Sequence, residues 1–211
     1  MSWTAKNGYL TRAEMEGNAQ EVWTFFRSRG WSENATAAML GNMQSESGIN
    51  PGIWENLTPY SGGYGLTQWT PYTKYSQYAG NGWQNNGEVQ CQRIAYEAEN
   101  GIQWFRNPEA PIINPPISFA EFTTSNLDVY TLANYFLWFY EHPANPNQPN
   151  RGTQAAAWLT LFTGQTVPVV PTPPDDPALP VSKLNVPFAV IGAACYNSLR
   201  QRQGKNGGAK I

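Results

Sequence analysis

Glu46 sits in the stretch Ser45-Glu46-Ser47-Gly48, where an apolar helical pattern runs out, and Glu55 follows nine residues later across a Pro51-Gly52 break. Two carboxyl groups so placed can flank a bond that breaks by proton donation. One serves as acid, the other as base, nucleophile or stabiliser of positive charge. Two local effects are expected to favour the protonated form of Glu46. A partly apolar helix face disfavours the anion, and the partial negative charge at a helix C-terminus repels a carboxylate. The plain alternatives are structural, since a Glu in a last helical turn is usually a solvated surface residue and Glu55 could be an exposed turn residue. Glu141, in Trp-Phe-Tyr-Glu-His-Pro, is a third acid near a helix end, and its expected job is to pair with Arg151 or a backbone group.

Other chemistries find little to work with. The chain has one histidine, His142, and two cysteines, Cys91 and Cys195. A zinc site needs several such ligands converging on one ion, and no such motif exists, so neither metal nor cofactor is expected. A Cys–His nucleophile would have to be assembled from Cys91 or Cys195 with His142, and neither cysteine has a nucleophile-like setting. Two cysteines are also too few for a disulfide-built fold. Net charge is -2 with 13% charged residues, so no basic field points to nucleic acid. Nine Trp and eleven Tyr raise the aromatic share to 14%. Cores use such rings, and so do polysaccharide sites, because a flat ring covers the C–H face of a sugar while its polar edge stays wet.

The elements that must position Glu46 are helical. Thr11 and Glu14 have capping-box spacing before a helix expected to run to about Arg29, with Met15, Ala19, Val22 and Phe26 on one line and Gly30 ending it. Ser32 is expected to cap a second helix, on which Ala35, Met39, Asn42 and Glu46 share a face. Gly48 and Pro51 stop it. Residues 53–72 are rich in β-formers interrupted by Gly62-Gly63 and read as a small sheet or hairpin. Helical patterns return at 88–100, 126–141 and 152–163.

Residues 1–165 therefore form the expected domain. The segment 166–182 contains six prolines and reads as an extended linker, and 183–211 as a short apolar and basic tail. No apolar run reaches the length of a membrane span, so no stable insertion is expected. The opening Met-Ser-Trp-Thr-Ala-Lys has neither the basic nor the apolar region of a secretory signal. If the protein acts outside the cell that makes it, something else is expected to deliver it.

Residues 9–55 together with Gly-Gly-Tyr-Gly-Leu-Thr-Gln-Trp-Thr-Pro (62–71) closely resemble the phage tail lysozyme family, peptidoglycan-cleaving domains carried by tail proteins of phages and prophages. The segments around 90–100 and 136–159 also fit, so the likeness covers roughly residues 8–163. The resemblance implies a mainly α, lysozyme-like fold of α+β type, with helices around a small β-hairpin beside the substrate cleft. It places the catalytic Glu on Glu46. By analogy with the wider lysozyme and lytic transglycosylase pattern it turns Gln68 toward substrate, with Tyr64, Thr67 and Trp69 nearby. It matches no second acid, so Glu55 rests on position alone.

The expected activity is that of a muramidase cutting the β-1,4 bond between N-acetylmuramic acid and N-acetylglucosamine as a phage tail penetrates the wall. Peptidoglycan and other tail proteins are then the partners, and the virion is the location. Release as a free endolysin from the host cytoplasm at lysis is the alternative. A lytic transglycosylase using the same Glu46, and a non-catalytic wall-binding module, remain the rival activities.

Overall fold

The computed structural model describes residues 2–165, and the proposed linker and tail lie outside the described residues. Thr11 starts α1 (Arg12–Arg27) with a complete capping box: its side chain accepts from Glu14 N–H, and the Glu14 carboxylate accepts from Thr11 N–H. The Lys6 ammonium beside Glu14 then holds that carboxyl down at about 2. Ser32 caps α2 (Glu33–Ser47), and Gly48, in the left-handed conformation at φ 63°, closes it. Both ends are where the residue types call for them.

Every residue of α2 from Ala35 to Ser47 is buried. Its surface is mostly small and uncharged on all sides, which suits a helix enclosed by others. The main partners are α1, α6 (Val129–Phe136) and α7 (Asn150–Thr163). Gly41 is what allows α7 so close. A Cβ there would stand 2.6 Å from Ala155 N. Glycine inside a helix costs about 1 kcal/mol relative to alanine, so its presence marks a close crossing. That crossing brings Arg151, in the first turn of α7, over the C-terminal half of α2.

α2 and α6 run side by side in the same direction. Asn34 Nδ2 donates to Leu127 O at 2.9 Å and, further along, Asn42 Nδ2 donates to Ala133 O at 3.0 Å. The chain continues from α6 into one wide π-helical turn, Leu137–Glu141, so this helix and α2 end at the same end of the molecule. π turns are rare and recur at functional sites.

Between α2 and α4 (Gly87–Glu99) the expected hairpin is reduced to two isolated antiparallel bridges, Trp54–Tyr64 and Tyr64–Trp69, with a 3-10 turn at Glu55–Leu57 and the short helix α3 (Thr73–Ala79) after them. A ladder cannot propagate here because Asn56, Leu57, Tyr60, Gly62, Gly65 and Gln68 all have positive φ. Rings take over the work of the missing strands. Trp54, Tyr64, Tyr72 and Trp83 pack with ring centroids 4.6–5.8 Å apart. A second short helix, α5 (Phe119–Thr124), carries its own Ser118–Glu121 capping box. Among the described residues no helix is long and apolar enough to cross a membrane.

Candidate active site

The last turns of α2 carry Asn42, Ser45, Glu46 and Ser47, all buried, and each is tied to a different part of the fold. Asn42 reaches α6 as above. Ser45 Oγ donates to Gln154 Oε1 at 2.7 Å. Ser47 Oγ donates to Leu66 O at 2.9 Å, which fixes the 64–69 turn against the helix end. Glu46 Oε1 takes the Arg151 guanidinium, Nη2 at 2.5 Å. The side chains of that pair are 2% and 1% exposed. Arg151 or a backbone group was expected beside Glu141; the structure pairs Arg151 with Glu46. Arg151 Nη1 also donates to Asn42 Oδ1 at 3.1 Å and its Nε to Gln148 Oε1 at 2.8 Å.

This pairing alters the electrostatics expected for Glu46. Burial and the helix C-terminus both favour the protonated acid, as the sequence implied, but an adjoining guanidinium favours the anion. The two influences oppose one another around a single carboxyl.

Beyond Leu66 the chain enters a cleft of about 430 Å³. Its walls are Thr67–Thr70 and Lys74 on one side, and Gln103, Phe105 and Tyr140–Ala144 on the other. Glu46 is not among the lining residues; it stands two chain steps and one hydrogen bond from Thr67, through Ser47 and Leu66. Glu141 does line the cleft, at the end of the π turn. Glu55 does not. Its Oε2 accepts from Gly63 N–H at 2.8 Å and holds the Gly62-Gly63 turn.

The other residues expected near substrate divide in the same way. Thr67, Gln68 and Trp69 line the cleft, whereas Tyr64 is buried in the aromatic cluster with its hydroxyl accepting from Asn85 N–H at 2.8 Å. Burial pushes the Tyr64 phenol up, so it stays neutral. The Gln68 amide is turned inward, donating to Ile53 O at 3.2 Å and Gly65 O at 3.0 Å.

Under the cleft floor lies an acid that sequence reasoning passed over. Glu97 is 1% exposed. Tyr140 OH donates to its Oε2 at 2.5 Å, while Arg93 Nε at 2.8 Å and Trp69 Nε1 at 3.2 Å donate to its Oε1. Desolvation pushes its carboxyl up, against the hydrogen bonds from Tyr140 and the charge of Arg93. Burial likewise raises the Tyr140 phenol. One carboxylate thus ties α4 to both cleft walls. No local pattern marks it, since Glu97 reads as one more acid in the last turn of an amphipathic helix. His142, the lone histidine, closes the π turn in the left-handed conformation, with Nε2 2.9 Å from Phe139 O. Burial lowers its pKa.

A buried acid at a helix end thus stands close to a cleft bounded by an aromatic turn. Over 167 residues the chain is 47% identical to morphogenesis protein 1 of Bacillus phage B103, an alignment covering 76% of this chain and 43% of that protein. The chain therefore spans less than half the length of this relative. The phage tail lysozyme family model matches residues 17–162, and the chain belongs to that family.

Proposed function

We propose that the chain hydrolyses the β-1,4 bond between N-acetylmuramic acid and N-acetylglucosamine in bacterial peptidoglycan, with Glu46 donating the proton to the departing oxygen. The carrying observation is the place of Glu46: the last turn of a helix buried from Ala35 to Ser47, joined through Ser47 and Leu66 to the wall of the cleft. Membership of the phage tail lysozyme family supports the substrate class. The phage origin of the relative supports action from a virion, alongside other tail proteins, as the wall is penetrated.

The Glu46 side chain is 2% exposed, so the reading includes an opening of the inner cleft wall as glycan enters. Catalytic hydrogen bonds commonly tighten only when substrate is bound. Mass spectrometry of digested peptidoglycan tests the reaction. Reducing N-acetylmuramic acid ends are expected. Anhydro ends would make the protein a lytic transglycosylase, and an absence of fragments would make it a wall-binding module.

The second carboxylate has a separate test. Glu141 lines the cleft, while Glu55 caps a turn. Glutamine keeps an oxygen for Gly63 N–H, so Glu55→Gln is expected to hold kcat within about twofold and stability within about 1 kcal/mol. A fall of about a hundredfold in kcat with KM unchanged would instead return Glu55 to the role that its place in the sequence first suggested.

A further inference from the structure

Phe105 is the one large apolar side chain of the cleft wall that stays mostly open to solvent, at 51% exposure. One face of its ring is covered by the His142 imidazole, with centroids 4.2 Å apart and planes 25° apart. The rest of its open surface is held in a concavity with polar neighbours. Lys74 Nζ lies 3.4 Å from Gln103 Oε1, and Thr70 and Gln68 belong to the same lining.

The segment that carries the ring is tied to backbone carbonyls of the 138–140 stretch. Phe105 N–H donates to Phe139 O at 3.3 Å, Gln103 Nε2 to Tyr140 O at 3.1 Å, and Asn107 Nδ2 to Trp138 O at 3.0 Å. Segment 103–107 is thus strapped along the π turn, and Gln103 accepts a φ of 62° within it. A ring carried on a segment fixed in advance and stacked on His142 loses less conformational freedom when a ligand covers it.

We propose that Phe105, backed by His142, is a hexosamine platform: a pyranose ring of the glycan lays its C–H face on the open face of Phe105 while its hydroxyl and acetamido groups meet the polar lining. A sugar suits this wall because it is apolar on its faces and polar around its rim. A wholly apolar ligand would strip water from Lys74, Gln103 and Thr70 and return no hydrogen bonds. The proposal rests on the glycan-cleaving reading of the same cleft and adds a binding surface to it. Neither residue was singled out for binding in the sequence, where His142 was weighed only as a metal ligand or a base and Phe105 lies in a stretch with no motif.

Calorimetric titration of the full 211-residue chain with a β-1,4-linked N-acetylglucosamine tetramer reads the subsite without requiring cleavage. Phe105→Ala is expected to weaken tetramer binding about tenfold, and to raise KM on peptidoglycan by a similar factor with kcat changed less than about twofold. Phe105→Trp should bind within about twofold of wild type, since a ring is restored. Ile113→Ala, at a residue 46% exposed but outside the cleft, is the control and should bind as wild type does. Equal tetramer binding by wild type and Phe105→Ala overturns the platform, as does failure of wild type to bind. Tetramer binding that depends on Phe105 in a protein that releases no glycan fragments would refute the hydrolase reading and leave the platform standing.

Discussion

Glu46→Gln is expected to lower the rate of peptidoglycan cleavage by a factor of about 10²–10⁴ per folded molecule. Glutamine matches glutamate in size and keeps an oxygen for Arg151, but it has no proton to give to a departing alkoxide. The buried ion pair adds a second effect. The substitution leaves the guanidinium of Arg151 enclosed without its anion, and removing one member of a buried pair typically costs about 3–5 kcal/mol. The retained hydrogen bond should hold the loss near the lower end. Activity therefore has to be normalised to the folded fraction, measured by circular dichroism at the assay temperature. More than a few per cent of the wild-type rate per folded molecule would remove Glu46 from the chemistry. Fully wild-type stability would show that the charge of Arg151 is compensated by something other than Glu46.

The helical frame was legible because its signals are local. Thr11 with Glu14, and Ser32 with Gly48, mark the ends of α1 and α2 within a turn or two, and the spacing of Ala35, Met39, Asn42 and Glu46 places Glu46 in the final turn. The hairpin was overread for a physical reason. β-forming residues at 53–72 promise strands, but a ladder also needs consecutive extended backbone, and positive φ at Leu57, Tyr60 and Gln68 is not a property that composition reveals. Helices α3 and α5 were missed because six or seven residues cannot display a period.

The site was legible only in part, since its decisive contacts join distant residues. Arg151 is 105 positions from Glu46, and Tyr140 is 43 from Glu97. Sequence reasoning offered Glu141, ten residues before Arg151, either that arginine or a backbone group as its partner. The structure instead spends those residues turning the chain back through the cleft wall at Pro143 and Ala144, so that α7 crosses α2 at Gly41. The close approach of α7 decides the partner, and a glycine in the middle of a helix was the only trace of it in the sequence.

Arg151→Met tests that partnership from the other side. The thioether chain fills much of the same space, but Glu46 loses the cation held at 2.5 Å. At neutral pH the expected destabilisation is about 3–5 kcal/mol, read from denaturant midpoints. Its pH dependence has a definite sign. Without the guanidinium, an enclosed carboxyl holds its proton more tightly in the folded state than in the unfolded chain. The folded state then binds more protons than the unfolded one, so the variant's stability is greatest below the unfolded value of about 4.3 and falls as pH rises through the folded value. The gap to wild type should therefore be smallest in acid and widen toward neutrality. The same tighter hold extends the range in which Glu46 remains a proton donor, so the alkaline limb of kcat/KM is expected to move to higher pH. In the double variant with Glu46→Gln neither charge is left enclosed alone, and the summed losses of the single variants should overestimate its loss by about 0.5–3 kcal/mol. A gap to wild type that does not change with pH, combined with additive single losses, would mean that Arg151 serves only to fill space at the crossing of α2 and α7.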